Sequence, residues 1–252
     1  WQGALALANS LRMAGSEYPL LILTTCDPAG RPYIFEGLNS TVIPVSHVPL
    51  SDEFQKRHDK KQIHTNHPFT KGNKPAFHTP LDNFCKLRIW EFEQYRKIIF
   101  LDADLVVVKN IDKLFGFPEF VAAPNLYETL SDMGRMNSGV FVAEPSKRTY
   151  NRMLQTLDAP EAFWRRTDQT FLQSFFPDWF GLPYIYNTLQ YVYFNLPKLW
   201  IWKHIHVVHY QYEKPWEKEN PKAELLKPVI DLWWRCFEKR PLPDEVTPQH
   251  EG

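Results

Sequence analysis

Lys97-Ile98-Ile99-Phe100-Leu101-Asp102-Ala103-Asp104-Leu105-Val106-Val107-Val108 is the stretch whose reading decides the fold. An apolar run this short, rich in β-branched residues, reads as a strand buried in a sheet. Ahead of it, Leu81 to Tyr95 reads as an amphipathic helix, with Phe84, Leu87, Ile89 and Trp90 among its apolar positions. A helix, a buried strand and a polar cluster at the strand's carboxyl end make an α/β layout, and such strand ends are where open sheets bind ligands. The strand is expected to run straight through the aspartates and on to Val108. In extended backbone the side chains at i and i+2 point the same way, so Asp102 and Asp104 would share one face. Two such carboxylates suit a hard divalent cation, Mg²⁺ or Mn²⁺. The rival reading is an ordinary polar turn. Against it stands the apolar setting, where two carboxylates cost desolvation and mutual repulsion unless a cation or donors compensate.

Working outward, Ala4 to Met13 has helical spacing and stops at Gly15. Pro19 to Thr25 predicts a strand buried on both faces, and Thr41 to Val45 a second strand. Ser46 to Pro80 is polar, rich in His, Lys and Pro, and predicts a long excursion with partial order. Its histidines (His58, His64, His67, His78) match no compact ligand set and read as a solvated or acceptor-side loop. Further along, Ser138 to Ala143 predicts a strand and Ser146 an N-cap for a helix to about Leu157. Asp168 to Phe176 predicts a helix, His206 to Tyr210 a short strand, and Ala223 to Phe237 a closing helix. One α/β domain, residues 1–216, with a C-terminal helical extension, residues 217–252, is the simplest account.

Bulk properties narrow the function. Across 252 residues, 29 basic side chains balance 29 acidic ones, which gives no reason to expect nucleic acid or an anionic membrane as partner. Hydrophobic residues at 44% are ordinary for a soluble globular chain with a substantial core. The nine tryptophans read mainly as core, with carbohydrate contact as the lesser reading. Cys26, Cys85 and Cys236 are too few and scattered for a disulfide framework or zinc site, and their apolar neighbours predict buried free thiols. No run approaches the ~18 apolar residues of a membrane span. The opening Trp1-Gln2-Gly3-Ala4 lacks the basic region of a secretory leader, and without an initial Met the chain reads as trimmed. A soluble domain is expected, with cytoplasm and Golgi lumen both open.

Several segments together resemble a family. Ile98 to Asp104, followed by Asn110-Ile111-Asp112-Lys113-Leu114-Phe115, is similar to the metal-binding segment of glycosyltransferase family 8, the group containing glycogenins and galactinol synthases. In order along the chain, Gly3-Ala4-Leu5-Ala6-Leu7, Lys86-Leu87-Arg88-Ile89-Trp90, Ala122-Ala123-Pro124-Asn125 and Met136-Asn137-Ser138-Gly139-Val140-Phe141-Val142 resemble further family segments. Thr167-Asp168-Gln169, Leu182-Pro183-Tyr184-Ile185-Tyr186-Asn187 and His209-Tyr210 with Lys214-Pro215-Trp216 complete the set. The resemblance implies a single GT-A domain, α/β and Rossmann-like with a mixed central sheet. It also implies a UDP-sugar donor, a carbohydrate, polyol or other hydroxyl acceptor, Mn²⁺ or Mg²⁺ as cofactor, and retention of anomeric configuration. A homodimer is compatible with it.

The resemblance also implies roles. Asp102, Asp104 and His209 would ligate the metal. Lys86, Asp102, Ala103, Asp104, Asn137, Ser138, Gly139 and Lys214 would line the donor. Asp168 and Gln169 would act catalytically at the transferred sugar. Each has a rival reading from the residues alone: a structural histidine at 209, helix capping at 168 and 169, a solvated helix lysine at 86, and a turn at Asn137. The segment holding the nucleobase in the family lies ahead of the first match, so the base is not legible. In the segment where glycogenins carry their self-glucosylated tyrosine, Tyr191-Val192-Tyr193-Phe194-Asn195 differs in length and register, and self-glycosylation is not expected. The alternative from another class is a nucleotide-sugar-binding protein of the same fold without turnover. A metal-using nucleotidyltransferase is a third reading, though no glycine-rich phosphate loop supports it.

Overall fold

The structure, a computed structural model, describes residues 1–28, 32–57, 82–159 and 167–247. The four histidines of the polar excursion lie outside the described residues.

Helix α1 (Gln2–Met13) ends as its sequence dictates. Gly15 takes φ +72°, its N–H reaches Arg12 O, and Ser16 N–H reaches Leu11 O, both at 3.0 Å. That pair of bonds is a Schellman cap, which needs the left-handed residue only glycine adopts freely. Strands β1 (Leu20–Thr24) and β2 (Ser40–Pro44) pair in parallel. β1 is not buried on both faces as expected: its residues are mostly half-buried, because among the described residues it pairs with β2 alone. Within the excursion, Val48 and Phe54 are buried, the latter in the short helix α2 (Asp52–Arg57).

The amphipathic α-helix expected over Leu81 to Tyr95 is a 3₁₀ helix, Asp82–Glu91. Its tighter winding buries Phe84, Lys86, Leu87, Ile89 and Trp90 together rather than presenting one apolar stripe. Trp90 stacks on Phe141 (5.8 Å between ring centroids), Phe120 and Phe176 within one of the core clusters.

The decisive stretch is broken where the sequence reads continuous. β3 (Ile98–Leu101) ends at the aspartates and β4 (Leu105–Val107) begins beyond them, in a different sheet. β3 joins β5 (Val121–Pro124), β6 (Met136–Ala143) and β7 (Phe180–Gly181) in the order β3-β6-β5-β7. β4 joins β8 (Thr188–Leu189) and β9 (Val207–His209) in the order β4-β9-β8. Both sheets mix parallel and antiparallel pairs. The break is enforced by hydrogen bonds: Asp102 N–H donates to Gly139 O and Tyr210 N–H to Asp104 O, each at 2.9 Å. Asp102 to Asp104 is therefore a turn between sheets, not extended strand.

The remaining helices are α3 (Lys147–Leu157), α4 (Asp168–Phe175), α5 (Val192–Asn195) and α6 (Lys227–Phe237). Ser146 caps α3, its Oγ accepting Thr149 N–H at 3.3 Å. α6 starts four residues later than expected, with Pro228 in its first turn, where a missing N–H costs nothing. It packs on α1 and shares an apolar cluster with β4, β9 and Tyr210. Of the three thiols only Cys236 is buried; Cys85 is half-buried and Cys26 exposed at a turn, contrary to their apolar neighbours in sequence. No helix among the described residues is long and apolar enough to cross a membrane.

Candidate metal and donor site

The turn after β3 is where distant parts of the chain meet. α1 approaches it so closely that a Cβ on Gly3 would lie 2.4 Å from Ala103 O, so only glycine lets the helix start there. From the other side β9 pairs with β4, setting His209 opposite Leu105 and bringing its ring to the turn. One ligand atom each from Asp102, Asp104 and His209 lies within 4.8 Å of the others. Nε2 of His209 sits 3.3 Å from Asp104 Oδ1. Two carboxylates and one imidazole nitrogen, mutually this close, fit a divalent cation that accepts mixed O and N ligands, such as Mn²⁺.

Two lysines hold the carboxylates from opposite sides. Lys214 Nζ lies 2.5 Å from Asp104 Oδ2 and donates to Tyr210 O at 2.7 Å. Burial works against ionisation of Asp104, but Lys214 and His209 prevail and hold its carboxyl well below the usual range. Lys86 is almost fully buried and bridges Asp102 (3.1 Å) and Asp168 (2.7 Å). Burial opposes its charge, yet these two carboxylates outweigh it and raise the ammonium above its ordinary pKa. For Asp102, burial prevails over the pull of Lys86, with Asp104 adding to it, and its carboxyl sits above the ordinary value. With the His209 ring neutral, as a metal ligand must be, three carboxylates against two ammonium groups leave one net negative charge. A divalent cation would turn that into one net positive charge, which suits a diphosphate.

The structure shows what each of four candidate side chains touches. Lys86 is no solvated helix lysine. Asp168 does not cap α4: Thr167 does, its Oγ1 accepting Thr170 N–H at 3.2 Å. The Asp168 carboxylate is left for Lys86 and for the Ser138 hydroxyl, which donates to it at 2.6 Å. Gln169 Oε1 accepts the Ser138 N–H at 3.3 Å. Asn137 shapes its own turn, Oδ1 accepting Gly139 N–H at 2.8 Å, but it also joins a network. Its Nδ2 donates to Asn125 Oδ1, and its Oδ1 accepts from Asn187 Nδ2 at 2.7 Å. Asn187 Oδ1 in turn meets Nδ1 of His209 at 2.9 Å. Asn125 and Asn187 had no role in the sequence reading; the signal available was their place in the Pro-Asn and Tyr-Asn segments. A cavity of about 610 Å³, walled mainly by apolar residues including those of β1 and β3, also has Lys86, Asp102 and Ala103 in its lining.

Comparison with known proteins agrees with this geometry. The model of glycosyl transferase family 8 matches residues 1–220. Galactinol synthase 4 of Arabidopsis thaliana is 29% identical over 94% of this chain and 77% of its own length. Human glycogenin-1 is 31% identical over 96% of this chain and 69% of its own. Among solved structures, galactosyltransferase LgtC in complex with donor and acceptor sugar analogs superposes with a TM-score of 0.60. It shares 15% identity, with 97% of this chain and 94% of that one covered. The glycosyltransferase GlyE of Streptococcus pneumoniae gives 0.58 at 15% identity over 94% of this chain, which spans 59% of GlyE. The fold is the GT-A fold of these enzymes.

Proposed function

This chain belongs to glycosyl transferase family 8, and from that premise we propose that it transfers a hexosyl or related sugar from a UDP-sugar to a hydroxyl acceptor, dependent on Mn²⁺ or Mg²⁺ and with retention. The observation that carries this reading is the convergence of Asp102, Asp104, His209 and Lys214 on one turn. The leaving group is a nucleoside diphosphate, so catalysis mainly requires stabilising charge that builds on phosphate oxygens. Asp102, Asp104 and His209 would hold the cation, which when bound supplies Lewis-acid stabilisation of that charge. Lys214 adds an ammonium at the same place, and its charge acts there without any proton transfer. Lys86 keeps Asp102 and Asp168 fixed, and Asn137, Ser138, Gly139 and Gln169 form the wall on which the sugar would lie. The LgtC structure, solved in complex with donor and acceptor sugar analogs, is in keeping with this reading.

Retention is compatible with front-face displacement, in which the departing phosphate helps deprotonate the incoming hydroxyl. Asp168 is the candidate carboxylate, and the hold of Lys86 and Ser138 on its Oδ2 supports a positioning role for it, while Gln169 is an amide and a poor nucleophile.

Asp104→Asn is the test of the site. The variant should lose Mn²⁺-dependent UDP binding by isothermal titration, and metal-dependent UDP release from UDP-sugars, while its circular dichroism stays native. Wild-type UDP affinity in the variant with Mn²⁺ present would remove the central claim.

A further inference from the structure

The hydrogen bonds behind His209 run in one direction only, and their polarity can be followed from a group that has no choice. Gly139 N–H can only donate, so the Asn137 atom it meets is the amide oxygen. That oxygen also faces Asn187, whose contacting atom must therefore be its NH₂. The amide plane of Asn187 then turns its oxygen to His209, 2.9 Å from Nδ1. An amide oxygen has no proton to give, so Nδ1 must carry one. All three side chains are buried.

We infer that Asn187 is a positioning residue which keeps Nδ1 of His209 protonated and directs Nε2 at Asp104. The consequence follows from geometry. Nε2 of a neutral ring is an acceptor, and Asp104 Oδ1 at 3.3 Å is another. With Nδ1 committed to Asn187, Nε2 is the nitrogen left to face Asp104, across a proton when no metal is bound and with its lone pair given to the cation when one is. Asn187 thereby fixes which ring nitrogen is turned to the carboxylates and leaves Nε2, not Nδ1, for a cation there. Ring position is fixed from a second side: a Cβ on residue 139 would lie 2.6 Å from Cε1 and 2.7 Å from Nδ1 of His209, so Gly139 is the floor on which the imidazole rests. The metal part of this inference rests on the reading of Asp102, Asp104 and His209 as one cation site. The proton assignment does not.

The test uses the whole chain labelled with ¹⁵N-histidine. In wild-type protein, NMR should find His209 Nδ1 protonated both metal-free and loaded with diamagnetic Mg²⁺. Asn137→Asp keeps an oxygen for Gly139 N–H and for Asn187, so it should leave that proton in place. Asn187→Leu removes the acceptor, should release the proton from Nδ1, and should weaken Mn²⁺ binding ~10–100-fold, the usual cost of losing a ligand-orienting partner. An unprotonated Nδ1 in wild-type protein would overturn the inference, as would Asn187→Leu with unchanged Nδ1 and unchanged Mn²⁺ affinity. Should wild-type protein bind no Mn²⁺ at all, the proposed function falls while the Nδ1 signal still decides the role of Asn187.

Discussion

Single charged residues explain why this site can sit at the edge of a core. Lys86 is 6% exposed and Asp168 5%, a burial either would resist alone. Together, with Asp102 and Ser138, they satisfy one another, and the site gains a carboxylate whose position cannot drift. The prediction at this scale is that Asp168→Asn slows transfer roughly 10²-fold by loosening the sugar's position. The first-formed product, read by NMR, should still be α-linked from an α-linked donor, and intact-mass spectrometry should find no glycosyl-enzyme. A β-linked product, or a trapped adduct on Asp168 in wild-type protein, would count against front-face retention.

Among the elements, α1 bears most directly on the site, because it starts against Ala103 and is pinned along its length. Ser10 is fully buried; its hydroxyl donates to Leu7 O at 2.8 Å and accepts Val107 N–H at 2.9 Å. Asn9 ties the same helix to Phe237 O at the end of α6. Removing the Ser10 hydroxyl strands a buried backbone donor of β4, a loss of about 1–3 kcal/mol. Ser10→Ala should therefore lower Tm by roughly 2–10 °C at this chain length. Because β4 also carries the far side of the Asp102 turn, Mn²⁺ affinity should fall as well. A Tm within one degree of wild type would show that water or a backbone shift replaces the hydroxyl.

At the scale of the whole molecule, the site joins the 3₁₀ helix at Lys86, the turn at Asp102, β6, α4, the Asn187 segment, β9 and Lys214. A ligand that bridges these parts should stabilise all of them. Mn²⁺ with UDP at 100 times their dissociation constant should add ~2.7 kcal/mol by mass action, several degrees in Tm, and excess EDTA should reverse it. The rise should need both components, since without the cation the site offers the diphosphate no net positive charge. An equal shift from UDP in EDTA would mean that the cation plays no part in binding.

Much of this was legible in the residues themselves. Local spacing marked β2, β6 and α4 to within a few residues, and the caps Gly15 and Ser146 marked the end of α1 and the start of α3, because these residues act on their own backbone neighbours. The ordered motifs identified the family and the paired aspartates, because family segments keep their residues in linear order. Tertiary structure decided what depends on partners far along the chain. Ile98 to Val108 looks like one strand, and only Gly139 O and Tyr210 N–H, reaching in from other strands, fold it into a turn between two sheets. Lys86 reads as any helix lysine until Asp102 and Asp168 are found around it. The direction of the His209 ring is set by Asn187, 22 residues away, through a bond that spacing does not encode. Apolar periodicity and caps are local properties, whereas hydrogen-bond partners across sheets exist only once the chain has closed.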